Sequence, residues 1–459
     1  MFRNVWQAIV SRGSVYRERD YETGGHLEEI RMLRRHQAKL LGYQSFADMS
    51  METKMAGSVD NVKTMLENLL DTAKSAQQQE LENLLEFAKS EDFKHDQLEL
   101  WDMPYWKRRQ QVSLFNYNEQ EIQEYFPLSN VLNGLFDLCE NLFDIRFKER
   151  SNASTWHKDV KFYDIFESHS DQPVAGFYLD PYARSSEKVR IHNNGWMVGI
   201  QSESQLTETK AISALIFNFD PPIGDKPSLL HFKDVKMLFN KFGHALQHLL
   251  SRTIYSEISG LSNIEWDAVE VSGCMLQHWL CNKSTIDRIS SHYQSGDKLP
   301  SQAFESLMNV NTHMSGSDLC RELYLSALDL ELHVTKTYWL DLVKKLWPHY
   351  RCFPLHKQDA HPCSFTQIFV DEWGAAYYSH IWSRMLAADL YGAFHEAGND
   401  EKRIKEIGKR YRDTFLALGG SCPAGKIFRL FRGRDPSPKA LLRSLGLKET
   451  AKTEEVYLT

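Results

Sequence analysis

The chain has 459 residues, of which 42% are hydrophobic and 25% charged, and a formal net charge of −7. That length and composition suit a soluble globular protein with an ample core, and the acidic balance gives no electrostatic case for nucleic acid or an anionic membrane as partner. No apolar run approaches the roughly 20 residues of a spanning helix. The seven cysteines are scattered and form no C-x-x-C pair, which fits reduced thiols in a cytosol-like compartment better than a disulfide framework.

The opening MFRNVWQAIVSRGSVYR carries three arginines and no acid before Glu18. It reads as an amphipathic helix with Val5, Trp6, Ile9 and Val10 on one face. An organelle transit peptide, hence a mitochondrial rather than cytoplasmic location, is the second reading. Residues 20–150 read as helical, because segments such as LEEIRMLRRHQAKLLGY and VDNVKTMLENLLDTAKSA space apolar residues at three and four. The texture changes at KFYDIFE, VAGFYLDPYA, RIHNNGWMVGIQ and AISALIFNF, short β-branched or aromatic runs that predict a small sheet over about 159–220. From 230 to 447 the chain is helical again, and 448–459 reads as a polar tail.

The segment DVKMLFNKFGHALQHLL holds the chemistry. A helical H-E-x-x-H motif works because residues i and i+4 share a face, so two imidazoles reach one zinc while the Glu holds a water. Here the window is Asn240-Lys241-Phe242-Gly243-His244, so the first His is Asn and the Glu is Lys. An amide is a poor zinc ligand beside imidazole or carboxylate. Lys241 adds a charge where the dication would sit, and two unit charges 4 Å apart at an effective dielectric of 20 repel by about 4 kcal/mol.

These residues resemble the thimet oligopeptidase/oligopeptidase A family of zinc peptidases, whose F-H-E-F-G-H-x-[LM]-H-H stands against FNKFGHALQH here. IEWDAVEV resembles the segment whose last Glu is the third zinc ligand, which maps to Glu270. FYLDPYAR, NFDPPIGDKPSLL, WDMPYW and FRLFRGRDP match further family segments, so the resemblance runs over about 3–447. Family members are longer at the N-terminus. In the late segment SFTQIFVDEWGAAYYSH, Gln367 replaces a His that contacts substrate and Trp373 replaces a Tyr. Asp371 and Glu372 replace two glycines, Tyr377 is kept, and His380 stands where a second Tyr sits.

The resemblance implies a mainly α, zincin-like helical peptidase fold, with a small β-sheet next to the metal-site helix and two lobes around a channel, read as one peptidase-like domain over 3–447. It leaves His244 and Glu270 as remnant ligands, Asn240 as a lost one and Lys241 at the general-base position. Tyr377 and His380 fall in the catalytic region, and Gln367 and Trp373 among substrate-binding positions. The reading is an oligopeptidase relative that has lost zinc-dependent hydrolysis, with no cofactor expected (zinc in the parent family) and short peptides or a protein partner as ligands. The alternative is an active metallopeptidase with an atypical site on His244, His248 and Glu270. A further expectation is that the Lys241 ammonium pairs with Glu270, or else with Asp371 or Glu372. Gly420-Ser-Cys-Pro-Ala-Gly-Lys426 matches G-x-x-x-x-G-K, but Ile427 replaces the Ser/Thr and a helical pattern precedes it, which argues against a nucleotide site. The neighbouring arginines read as an ion-paired face.

Overall fold

A computed structural model describes residues 2–17, 19–189, 195–370 and 373–448. The chain is mainly helical with one small sheet. It divides into two compact units that alternate along the sequence: a first of Met1–Asn116, Asn309–Met385 and Pro436–Thr459, and a second of Tyr117–Met308 and Leu386–Asp435. The span 3–447, read from sequence as one domain, therefore comprises both.

The second unit holds the sheet, β1 (Ile145–Glu149), β2 (Lys161–Glu167), β3 (Pro173–Tyr182), β4 (Gly195–Gln201) and β5 (Ala211–Phe219), in the order β1-β2-β3-β5-β4. Only the β3–β5 pair is parallel. β3 and β5 are central and largely buried, which is why their sequences are near-continuous apolar runs. The Phe232–Leu249 helix packs on β5 and β4. Val235, Leu238, Phe239 and Phe242 are fully buried on it, each contributing about 1.5–3 kcal/mol.

The sheet begins earlier than the predicted 159. The Leu128–Phe143 helix stops at Asp144, whose φ of 55° is left-handed, and β1 follows at once. Its sequence, IRFKE, buries Ile145 and exposes Arg146, Lys148 and Glu149. Charges on an edge strand discourage further pairing, and here they make the strand look like the charged end of a helix. The motif FYLDPYAR contributes a buried ionic knot. Both oxygens of Asp180 accept from Arg184 (2.8 and 2.7 Å), and Lys188 and Trp156 each donate to it at 3.0 Å.

In the first unit the Val59–Ser90 helix, capped by the Ser58 hydroxyl, packs along the Ser315–Val334 helix. The two meet at Gly316, where a Cβ would lie 2.7 Å from the Ala76 Cβ. Glu80 accepts from the Gly316 and Ser317 amides at 2.8 Å, satisfying donors that the helix start leaves open. At the other end the buried Arg31 of the Gly24–Leu40 helix donates to the carbonyls of Leu332, Thr335 and Thr337. The N-terminal helix forms over Phe2–Val10, but its predicted face divides. Trp6 and Val10 are half-buried, whereas Val5 and Ile9 are exposed, because Trp6 turns its ring to Trp101 and His356.

Candidate functional site

In the second unit Asn240 and His244 share one face of the Phe232–Leu249 helix, toward the Val271–His278 helix. Two glycines permit the approach. A Cβ on Gly273 would lie 2.7 Å from both the Asn240 carbonyl oxygen and His244 Nε2, and one on Gly243 would overlap the Ser272 carbonyl. Asn240 Nδ2 donates to Cys274 Sγ at 3.9 Å. Glu270, half-buried, is the N-cap residue of the Val271–His278 helix.

His244 is buried, and its Nε2 has no hydrogen-bond partner among the described residues. Burial, and then the Lys241 charge, drive its pKa from the usual 6.5 down to about 4, with the Glu270 carboxylate opposing both. The ring is therefore neutral near pH 7. Lys241 is half-buried; its charge and the carboxylate of Glu270, the partner expected for it from sequence, both act on His244. Asp371 and Glu372, the other partners considered, lie outside the described residues.

A catalytic zinc needs three protein ligands and an open position. His244 offers an orphan nitrogen and Glu270 a carboxylate, but Asn240 is turned to a sulfur. Among the described residues no set of three His, Cys, Asp or Glu side chains is placed to hold a metal ion. His248 does not complete a site either. Its Nε2 lies 2.9 Å from the Gln201 carbonyl and 3.2 Å from that of Ile212, so this nitrogen is committed as a donor to the sheet. The ring is held between Gly199 and Gly260, where Cβ atoms would lie 2.8 and 2.7 Å from it. The residues present do not fit a zinc ion in the family manner.

In the first unit the four late-segment residues singled out from sequence come together. Gln367 Nε2 lies 3.3 Å from His380 Nε2. The His380 ring stacks on Trp373 at 4.2 Å and meets Tyr377 edge-on at 5.1 Å. All four are half-buried, so they line accessible surface, and burial pushes the Tyr377 phenol upward.

Behind this cluster stand three residues that sequence reasoning missed. Asp329 and His333 are spaced i, i+4 on the Ser315–Val334 helix, and both side chains are fully buried. Arg34 approaches from the Gly24–Leu40 helix, 2.7 Å from His333 Nε2. The signal available was D-L-E-L-H, two polar groups on the buried face of an otherwise apolar helix.

The remaining motifs are structural. Gly420 packs on the 262–263 backbone, where a Cβ would overlap the Ser262 carbonyl, and Asn263 donates to its oxygen at 2.9 Å. Arg432 and Arg434 both pair with the buried Asp389, at 3.1 and 2.6 Å, and Arg429 with Asp435 at 2.6 Å. No disulfide links the cysteines, and no helix among the described residues is long and apolar enough to cross a membrane.

The sequence pattern of Peptidase family M3 matches residues 3–447. The chain is 38% identical over 457 residues to "Organellar oligopeptidase A, chloroplastic/mitochondrial" of Arabidopsis thaliana, covering 96% of this chain and 57% of that protein. It is also 38% identical over 458 residues to "Probable cytosolic oligopeptidase A" of the same plant, covering 96% of this chain and 64% of that one. The chain thus spans about three fifths of the length of these curated relatives. The M32 carboxypeptidase from Deinococcus radiodurans R1 has a similar fold, with a TM-score of 0.56 at 9% identity over 97% of this chain and 78% of that one.

Proposed function

Because the chain belongs to peptidase family M3, we propose that it has lost zinc-dependent peptide hydrolysis and keeps the binding of short peptides, or of a polypeptide partner presenting one. The observation that carries this reading is the donor set on the Phe232–Leu249 helix. Asn240 and Lys241 stand where the resemblance places a ligand and a base, and among the described residues His244 Nε2 has the Glu270 carboxylate as its one further candidate ligand. The general base of such an enzyme accepts a proton and hands it to the leaving amine. A carboxylate offers acceptor oxygens for that task, whereas a lysine ammonium has three donors and no acceptor.

Support for retained binding comes from Gln367, Trp373, Tyr377 and His380. An amide, a phenol and an imidazole can both donate to and accept from a peptide backbone, and the aromatic faces suit apolar side chains. The alternative, an atypical metal site on His244, His248 and Glu270, is opposed by the bonding of His248 Nε2 to the sheet carbonyls. A cytoplasmic location is proposed, with the mitochondrion as the other reading.

Incubating the protein with a defined mixture of short peptides, then measuring cleavage by mass spectrometry and binding by fluorescence anisotropy, tests the proposal. The expected result is intact, bound peptide. Cleavage that a chelator abolishes overturns it.

A further inference from the structure

The cluster of Gln367, Trp373, Tyr377 and His380 sits on short elements that do not stabilise themselves. Gln367–Val370 is a helix of 4 residues, and turns lead from Trp373 to the start of the Ser379–Glu396 helix. Ala375 within those turns has a φ of 57°, a left-handed conformation that a side chain disfavours. Something outside the segment must hold it.

The geometry points to Asp329 as the positioning residue of this surface, acting with His333 and Arg34; the inference rests on the peptide-binding reading above. Its two carboxylate oxygens accept from the backbone N–H groups of Ala375 and Tyr377, each at 2.9 Å. That fixes the left-handed residue and the one carrying the phenol together. His333 Nδ1 lies 3.0 Å from Asp329 Oδ1 and 2.8 Å from the Asp329 carbonyl oxygen. An arginine can only donate, so His333 Nε2 accepts from Arg34 and the ring carries its proton on Nδ1, toward Asp329. The same Arg34 forks onward to the carbonyls of Ile368 at 2.6 Å and Phe369 at 3.3 Å, holding the helix that bears Gln367. A Cβ on Gly374 would lie 2.6 Å from the Arg34 guanidinium, so only glycine lets the turn close on it. One chain from the half-buried Arg34 through the buried His333 to Asp329 thus grips the segment on both sides of the cluster and sets the distance between Gln367 and the Trp373–His380 stack.

The test is Asp329→Asn, which keeps one acceptor oxygen and turns an NH2 group toward a backbone N–H. The readouts are anisotropy of a fluorescein-labelled pool of short peptides and the emission of Trp373, taken as the unaltered chain minus Trp373→Phe. A folded Asp329→Asn protein is expected to bind the peptides about tenfold more weakly (~1.4 kcal/mol) and to show raised Trp373 emission, because the quenching His380 ring leaves the stack. A merely structural Asp329 would lower thermal stability and leave Trp373 emission in the folded protein unchanged, and that result overturns the inference. If Asp329→Asn does not fold, Arg34→Lys is used, since an ammonium on a flexible stem lacks the planar fork that spans both carbonyls and the imidazole, and the same criteria apply. If the unaltered chain binds no peptide, the proposed function fails, and Trp373 emission alone decides the positioning role.

Discussion

Gln367 Nε2 and His380 Nε2 lie 3.3 Å apart, with the His380 ring stacked on Trp373. The resemblance puts a His at the first of these positions and a Tyr at the second, so an imidazole missing from one is present at the other, within hydrogen-bonding reach. In the second unit, no set of three His, Cys, Asp or Glu side chains among the described residues is placed to hold a metal ion beside Asn240 and His244. The two sets of substitutions therefore differ in kind. On the proposed reading, one rearranges polar groups that meet a peptide, and the other replaces a ligand and a base together.

Gly273→Ala should destabilise the second unit. The new methyl would lie 2.7 Å from His244 Nε2 and from the Asn240 carbonyl oxygen, both held by buried helices. Overpacking of this kind costs typically 1–3 kcal/mol, read as a lower urea midpoint with an unchanged slope. An unchanged midpoint would mean that the two helices separate more easily than their packing implies.

Stability should fall as the medium is acidified from about pH 6.5 to about 4. His244 and His313 both have folded pKa values near 4 against the usual 6.5, burial being the largest cause in each. In that window the unfolded chain binds protons that the folded chain refuses, so stability rises with pH. It is fully present above 6.5 and lost toward 4. For the buried His244 the contribution reaches roughly 3 kcal/mol. Lys241→Gln removes the second cause of the His244 shift, so it should raise that pKa and shallow the dependence. Denaturant melts across the window check both, and a flat profile for the unaltered chain would contradict the burial of the two rings.

The sheet and the helix bearing Asn240 and His244 were legible because each is a local pattern: apolar runs between turn residues, or apolar residues at helical spacing. β1 was not, since Ile145 is the one buried side chain in a run of charges. The Arg34–His333 contact was hidden for a different reason. It joins residues 299 apart, and nothing local to either announces the other.

Asp180→Ala should cost more than a surface change. It would leave Arg184 and Lys188, both mostly buried, without their shared carboxylate. Stranding a buried charge costs about 3–5 kcal/mol, measured as loss of folding free energy at neutral pH. A cost below about 1 kcal/mol would place the knot with ordinary surface pairs.

Asn240→His with Lys241→Glu restores the motif on a helix whose backbone already presents His244. This double variant should gain zinc binding more readily than peptide turnover, because Gln367, Trp373 and His380 remain as they are. Metal content and peptidase rate measured on the same preparation separate the two gains. Full turnover from the double change alone would show that the late segment does not limit catalysis.

Zinc stoichiometry of the unaltered chain after equilibrium dialysis against micromolar zinc, with elemental analysis of the protein compartment, tests the central claim most directly. With no set of three metal-ligating side chains among the described residues and His248 bonded to the sheet, the account predicts far less than one zinc per chain, insensitive to His244→Ala. About one zinc per chain, lost in the His244→Ala variant, would contradict it.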